Sequence, residues 1–184
     1  MSRMLAVLLV ATLTASVAQA QKPNTREGFW IGFGFGVGSV GFGGGVEDHD
    51  RSTSLSGYLR MGGTLSQKVL IGGESNGWVG SIHGIENTVG FLGGVVLFYP
   101  SATGSFYLKG GLGLVTWQQQ SLTGYGLGLS LGMGNEFRMG DNFSINLFLN
   151  AIASRGVEVK ASGNSTGHNL DPNLVQLGVG VGWH

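Results

Sequence analysis

The chain has 184 residues, a formal net charge of zero and only 11% charged residues, against roughly 25% in soluble globular proteins. That balance excludes the basic footprint of a nucleic-acid binder. The absence of cysteine excludes disulfides, thiolate metal sites, a cysteine nucleophile and a lipoprotein's acylated cysteine. Glycine is the outlier at 36 residues beside only 3 prolines, so neither collagen nor a proline-rich linker is in view.

The opening segment reads as a cleaved signal peptide spanning residues 1–20. Arg3 supplies the positive start, Met4 to Leu13 the apolar run, and Ala18-Gln19-Ala20 the small-residue cleavage site, which puts the mature start at Gln21. The apolar run is shorter than the roughly 20 residues a spanning helix needs. Residues 21–184 are then one domain, opened by a short polar lead from Gln21 to Glu27.

The first strand runs from about Gly28 to Phe42 and sets the pattern. Phe29, Ile31, Phe33, Phe35 and Val37 share one face, while Gly32, Gly34, Gly36 and Gly38 share the other. A charged loop follows, from Val46 to Arg51. The second strand, about Ser54 to Leu65, sets Leu55, Leu59, Met61 and Leu65 against Ser56, Tyr58, Arg60 and Thr64. After a turn at Ser66 to Lys68, the third strand, Val69 to Val79, sets Val69, Ile71 and Val79 against Glu74 and Asn76. Gly80 to Asn87 reads as a loop. The fourth strand, Thr88 to Tyr99, alternates Val89, Phe91, Val95, Leu97 and Tyr99, and Pro100 to Ser105 is a turn by composition.

The fifth strand, Phe106 to Trp117, sets Phe106, Leu108, Leu112 and Leu114 against Lys109, Gly111 and Gly113. The sixth sets Tyr125, Leu127, Leu129, Leu131 and Met133 against glycines, Ser130 and Glu136. The seventh sets Phe143, Ile145, Leu147, Leu149 and Ala151 against Ser144, Asn146, Phe148 and Asn150. A long polar loop is expected from Arg155 to Asn173. The last strand sets Val175, Leu177, Val179, Val181 and Trp183 against Gln176 and glycines. This makes eight strands, near the 9–11 residues each that a tilted strand needs to cross a bilayer. The fold class is all-β, an eight-stranded antiparallel up-and-down transmembrane barrel, with short turns on the rim that holds the termini and longer loops on the other.

The apolar faces point to lipid outside rather than a packed core inside. The alternate faces carry glycine, serine and amides, which make a poor soluble exterior but a reasonable lining for a narrow eight-stranded lumen. Closure also satisfies the rule that unpaired sheet edges do not occur in lipid. Phe29, Tyr99, Phe106, Phe137, Phe143 and Trp183 fall on the lipid-facing parity at the terminal rim and read as an interfacial aromatic girdle. Trp78 and Trp117 fall on the lumen parity. The charges within the strands, Arg60, Glu74, Lys109 and Glu136, all fall on the lumen parity, where mutual pairing would plug the barrel.

These residues resemble the small eight-stranded bacterial outer-membrane barrels of the OmpA transmembrane-domain and OmpX type, as a pattern over most of the mature chain. The resemblance implies residence in the outer membrane among its lipid and lipopolysaccharide. It implies reading of the last strand, here ending Gly182-Trp183-His184, by the outer-membrane assembly machinery. It also implies acidic–basic lumen pairs like the set above. A monomer is expected, and no added peptidoglycan-binding domain is expected, because the chain stops at the last strand.

Three other groupings bear on chemistry. Gly36-Val37-Gly38-Ser39-Val40-Gly41 matches a dinucleotide fingerprint letter for letter, but it lies inside a strand pattern with no helix opening on it. His49, Asp48, Asp50, His168 and Asp171 fall at one rim and could bind a divalent cation weakly; solvated loop residues are the plainer reading. Ser81, His83 and Glu86 are the nearest local grouping for a lipid A-modifying hydrolase, without the flanking pattern such an enzyme needs. No catalytic residue, metal site or cofactor is expected. The role expected is structural, or a minor permeability or surface function. The alternatives are a barrel that binds or passes a small apolar molecule, a lipid A-modifying enzyme, and an adhesion module using the Arg155–Asn173 loop.

Overall fold

Period-two alternation runs through almost every segment of this chain, and each alternating segment finds an antiparallel partner on both sides. The structure, a computed structural model, describes residues 26–43, 51–161 and 163–184. The expected signal segment and most of the first charged loop lie outside them. Every regular element among the described residues is a strand: β1 (Phe29–Gly43), β2 (Ser52–Ser66), β3 (Val69–Ile82), β4 (Ile85–Phe98), β5 (Phe106–Gln119), β6 (Leu122–Arg138), β7 (Phe143–Ser154), β8 (Val157–Ala161) and β9 (Asn164–Trp183). Neighbours in sequence pair in turn from β1 to β7, β7 pairs with β9, and β9 pairs back with β1 from Ile31↔Trp183 to Gly43↔Asp171. The ring therefore closes with eight strands.

β8 is the outer end of the seventh strand. β7 pairs with β6 up to Gly128↔Ser154, and β8 resumes on the same strand at Tyr125↔Glu158 with the register moved by one residue. A one-residue displacement in one strand of a pair is a β-bulge. It falls at Arg155-Gly156, where Gly156 has φ of 63°. The expected loop from Arg155 to Asn173 is thus largely a hairpin of β8 with the start of β9. Its polar composition hid the strand pairing, because above the membrane neither face needs to be apolar.

The loop expected at Gly80 to Asn87 is also paired. β3 runs to Ile82, β4 starts at Ile85, and the turn between is His83-Gly84, with φ of 51° and 78°. Two consecutive positive φ values describe the tight hairpin turn whose twist matches paired strands. β5 and β6 are joined as tightly, through Gln120 and Ser121. The contrast of long and short connections read from the sequence therefore fails at both hairpins, because polar residues there extend the wall.

The wall faces follow the expected parity on every ring strand except β4. Phe35, Val37, Leu55, Leu112, Leu127 and Leu177 stand well exposed on the exterior, and a belt of such side chains surrounds the barrel. On β4 the expected outward set is buried: Val89, Phe91, Val95, Leu97 and Tyr99 point inward, and Leu92, Val96 and Phe98 point out. Both faces of this strand are apolar, so hydrophobic contrast carried no information there. Register decides instead. Val89 lies opposite Trp78 and Trp117, and Leu97 opposite Leu70 and Lys109, all of them inward. Tyr99 consequently leaves the aromatic girdle; it is 1% exposed.

The inward glycines explain how so small a ring closes. Gly36 faces Gly178, Gly62 faces Gly72, and Gly93 faces Gly113. A Cβ added at any of the six would run into the opposite strand's carbonyl or Cα. Each pair lets the two backbones approach more closely than a side chain would allow. Other inward glycines make room for large neighbours: Gly34 lies under Tyr58 and Phe148, Gly38 under Trp78 and Leu174, and Gly134 under the Tyr107 hydroxyl. The fingerprint-like run from Gly36 to Gly41 lies wholly within β1.

Candidate functional site

The lumen divides into two layers, set by which residues the register brings inward. Toward the rim away from the termini it is apolar. Val40, Trp78, Val89, Val115, Trp117, Ile152, Val157 and Leu174 are all buried there. The two indoles are anchored by their N–H groups: Trp78 donates to the Gly38 carbonyl at 3.0 Å, and Trp117 to Asn87 Oδ1 at 3.0 Å. Phe42 meets Trp117 edge-on with ring centroids 6.4 Å apart.

Toward the terminal rim the lumen is polar and charged. Arg60, Glu74, Lys109 and Glu136 all point inward and are at most 6% exposed. They do not form two reciprocal ion pairs. Lys109 Nζ meets both oxygens of Glu74, at 2.6 and 2.7 Å, and Asn76 Nδ2 adds a long contact to the same carboxylate at 3.4 Å. Arg60 pairs with no carboxylate of the described residues. Its guanidinium lies over the rings of Tyr58 and Tyr107, 4.7 and 5.0 Å from their centroids, and donates to the Tyr107 hydroxyl at 3.2 Å. Cation–π contact of this kind stabilises a desolvated guanidinium without a countercharge. Tyr58 in turn donates to Asn146 Oδ1 at 3.0 Å and meets Phe148 edge-on.

Glu136 collects a different set of partners. It accepts from Ser144 Oγ at 2.6 Å and the Tyr99 hydroxyl at 2.8 Å. His184 Nε2 lies 2.8 Å from Oε1, and Arg26 Nε lies 3.8 Å from Oε2. Arg26 and His184 come from opposite ends of the described chain, and both lie against Glu136 at the terminal mouth. Arg26 is 1% exposed although it precedes β1. Its guanidinium stacks 3.4 Å from the Tyr99 ring centroid and donates to the carbonyls of Ala102 at 3.2 Å and Gly104 at 2.6 Å. Its backbone N–H donates to Gln67 Oε1 at 2.8 Å. One arginine thus ties the β2–β3 turn to the β4–β5 turn across the mouth. The gap left among Trp30, Arg60, Tyr99, Glu136 and His184 has about 10 Å³ of room for a water's centre, which is one water.

Sequence reasoning found the four strand charges, placed Tyr99 in the outer girdle, and missed Arg26 and His184. Parity along a strand carries no information about a residue in a lead or at a chain end. The girdle positions other than Tyr99 lie on the outside: Phe29 is 63% exposed, Phe106 and Trp183 are about 40% exposed, and Phe137 and Phe143 are half-buried. Phe143 and Trp183 pack together, with centroids 5.2 Å apart. Of the loop residues weighed for a cation, His49, Asp48 and Asp50 lie outside the described residues. Asp171 accepts the Gly156 N–H at 2.7 Å, and His168 is exposed on the outer hairpin. Ser81 and Glu86 are cross-strand partners, and His83 sits in the turn beyond them.

An eight-stranded closed wall, apolar outside and filled with polar and aromatic side chains inside, defines a transmembrane β-barrel. No family model matches the chain, and no curated protein matches it. Solved structures do. Neisserial surface protein A (NspA) superposes with a TM-score of 0.66 at 12% identity, covering 87% of this chain and 99% of that one. Ail, the attachment invasion locus protein of Yersinia pestis, superposes with a TM-score of 0.52 at 16% identity, covering 85% and 99%. The chain has the fold of the small eight-stranded outer-membrane barrels.

Proposed function

We propose that the protein is an exported bacterial outer-membrane barrel that acts as a closed, membrane-anchored surface protein, not as a channel or an enzyme. The observation that carries this reading is the filling of the lumen by two layers of buried side chains. An apolar layer around Trp78 and Trp117 occupies one half, and the Arg60, Glu74, Lys109 and Glu136 layer, with Arg26 beside it, occupies the other. In this reading residues 1–20 are the cleaved export signal. The protein sits as a monomer among outer-membrane lipid and lipopolysaccharide, and the strand ending at Trp183 is what the assembly machinery reads. Planar-bilayer recording tests the closure. The parent protein should be silent. Arg60→Ala, Lys109→Ala and Arg26→Ala should each admit ions, singly or combined with Trp78→Ala to open the apolar layer as well. Steady conductance from the parent, or silence from every combination, would refute the plug.

The surface role rests on the outer hairpin. Val157–Ala161 and the first residues of β9 continue the wall beyond Gly43↔Asp171, the outermost pair with β1 among the described residues. Residues 163–169 are exposed. A paired hairpin is a better contact surface than a loose loop, because its ordering cost is already met on folding. Deleting residues 158–169 should leave a folded barrel and abolish cell-surface attachment; unchanged attachment would count against the hairpin as the contact element. Storage of a small apolar guest is less well supported, since Tyr58, Phe148, Trp78 and Tyr107 occupy the space over the inward glycines. The mass spectrum of lipid A incubated with refolded protein tests the expectation of no catalysis; a mass change would overturn it.

A further inference from the structure

We propose that the exterior wall carries a binding site for an anionic lipid of the surrounding bilayer, with an acyl chain in a groove beside the bulge and the headgroup held by Arg155. The groove measures about 520 Å³ and runs between Leu112, Leu127, Leu129 and Ala153. Leu112, Leu129 and Ala153 stand in one row across β5, β6 and β7. Leu127 lies two residues nearer the rim. Leu112 and Leu127 are 72% and 77% exposed, the most protruding apolar side chains on the wall, and Gly128 and Gly43 line the trough with no side chains of their own.

The upper end of this apolar trough is polar, and Arg155 and Asp171 line it there. Arg155 keeps the outward parity of Ala151 and Ala153, which sets it beside the trough where β7 gives way to β8. The bulge takes effect just after it and turns Val157 inward. Asp171 is the carboxylate of the groove, and its Oδ1 is occupied by the Gly156 N–H at 2.7 Å, so it holds the bulge in shape. Arg155 is exposed and makes no hydrogen bond or ion pair with the described residues. Depth agrees with this assignment. Arg155 follows Ser154, the partner of Gly128, and therefore lies level with the stretch between Leu127 and Tyr125. Tyr125 points outward and is 56% exposed, as an aromatic at the membrane–water interface does. A guanidinium at headgroup depth above a chain-shaped apolar trough matches a phosphate-bearing amphiphile, because the planar fork can meet two phosphate oxygens at once.

Native mass spectrometry of the refolded, detergent-solubilised protein tests the site. Dioleoylphosphatidylglycerol and dioleoylphosphatidylcholine share acyl chains and differ in headgroup charge. The parent should retain the anionic lipid about fivefold more than the zwitterionic one, the effect of one interfacial arginine. Arg155→Gln should abolish that preference, and Ala153→Trp, which fills the trough, should lower retention of both lipids. Lys68→Gln, an exposed cation on the opposite rim, should change nothing. Heat-modifiable mobility on gels checks that each variant is folded. Equal retention of the two lipids by the parent, a preference that survives Arg155→Gln, or an equal loss on Lys68→Gln would each overturn the assignment.

Discussion

Replacing Lys109 by methionine isolates the energetics of the charged layer. Both members of the Lys109–Glu74 pair are buried, and Nζ lies 2.6 and 2.7 Å from the two carboxylate oxygens. At 2.6 Å and an effective dielectric constant near 20, their attraction is about 6 kcal/mol, part of which offsets the desolvation of both ions. Lys109→Met keeps the aliphatic bulk and removes the charge. Glu74 is then left with the 3.4 Å contact from Asn76. Stranding one partner of a buried pair costs about 3–5 kcal/mol, whereas removing both charges is nearly neutral. Lys109→Met should therefore destabilise the barrel by about 4 kcal/mol, and Lys109→Met with Glu74→Gln should return to within about 1 kcal/mol of the parent. Urea unfolding in phosphatidylcholine vesicles, followed by tryptophan fluorescence, measures both. A single variant costing under about 1 kcal/mol, or a double variant as costly as the sum of the two singles, would refute the view of Glu74 and Lys109 as a coupled pair.

Four further outcomes follow from the geometry. Gly36→Val should prevent ring closure, because its Cβ would meet the Leu177 carbonyl and the Gly178 Cα; loss of the heat-modifiable folded band reads this out. Leu92→Arg should cost about 2–4 kcal/mol as a charge placed on the lipid face. Engineered cysteines at Leu92 and Phe91 should differ in parallel, the first reacting with a membrane-permeant maleimide and the second protected inside the barrel. Equal labelling would return β4 to the opposite parity. Tyr99→Phe removes the 2.8 Å hydrogen bond to Glu136 and should cost about 1.5–3 kcal/mol in the same urea assay.

The strand wall was largely legible from residue order alone. A period of two with glycine, serine or amides opposite leucine and phenylalanine makes one face apolar whatever the partner strand, and this holds for every ring strand except β4. The four strand charges were legible for the same reason, since Arg60, Glu74, Lys109 and Glu136 each fall on the parity opposite their strand's outward apolar residues. Tertiary structure alone decided three things. It chose the inward face of β4, where Phe91 and Leu92 are equally apolar and only register against Trp78 and Trp117 breaks the tie. It assigned partners within the lumen, giving Glu74 to Lys109, Arg60 to the rings of Tyr58 and Tyr107, and Glu136 to Arg26 and His184, because the stagger of a tilted ring sets which inward side chains share a level. It also turned the polar run after Ser154 into a bulge and a hairpin. Outside the bilayer the alternation that marks a strand is no longer required, and backbone pairing with β6 and β9 is what remains to hold it.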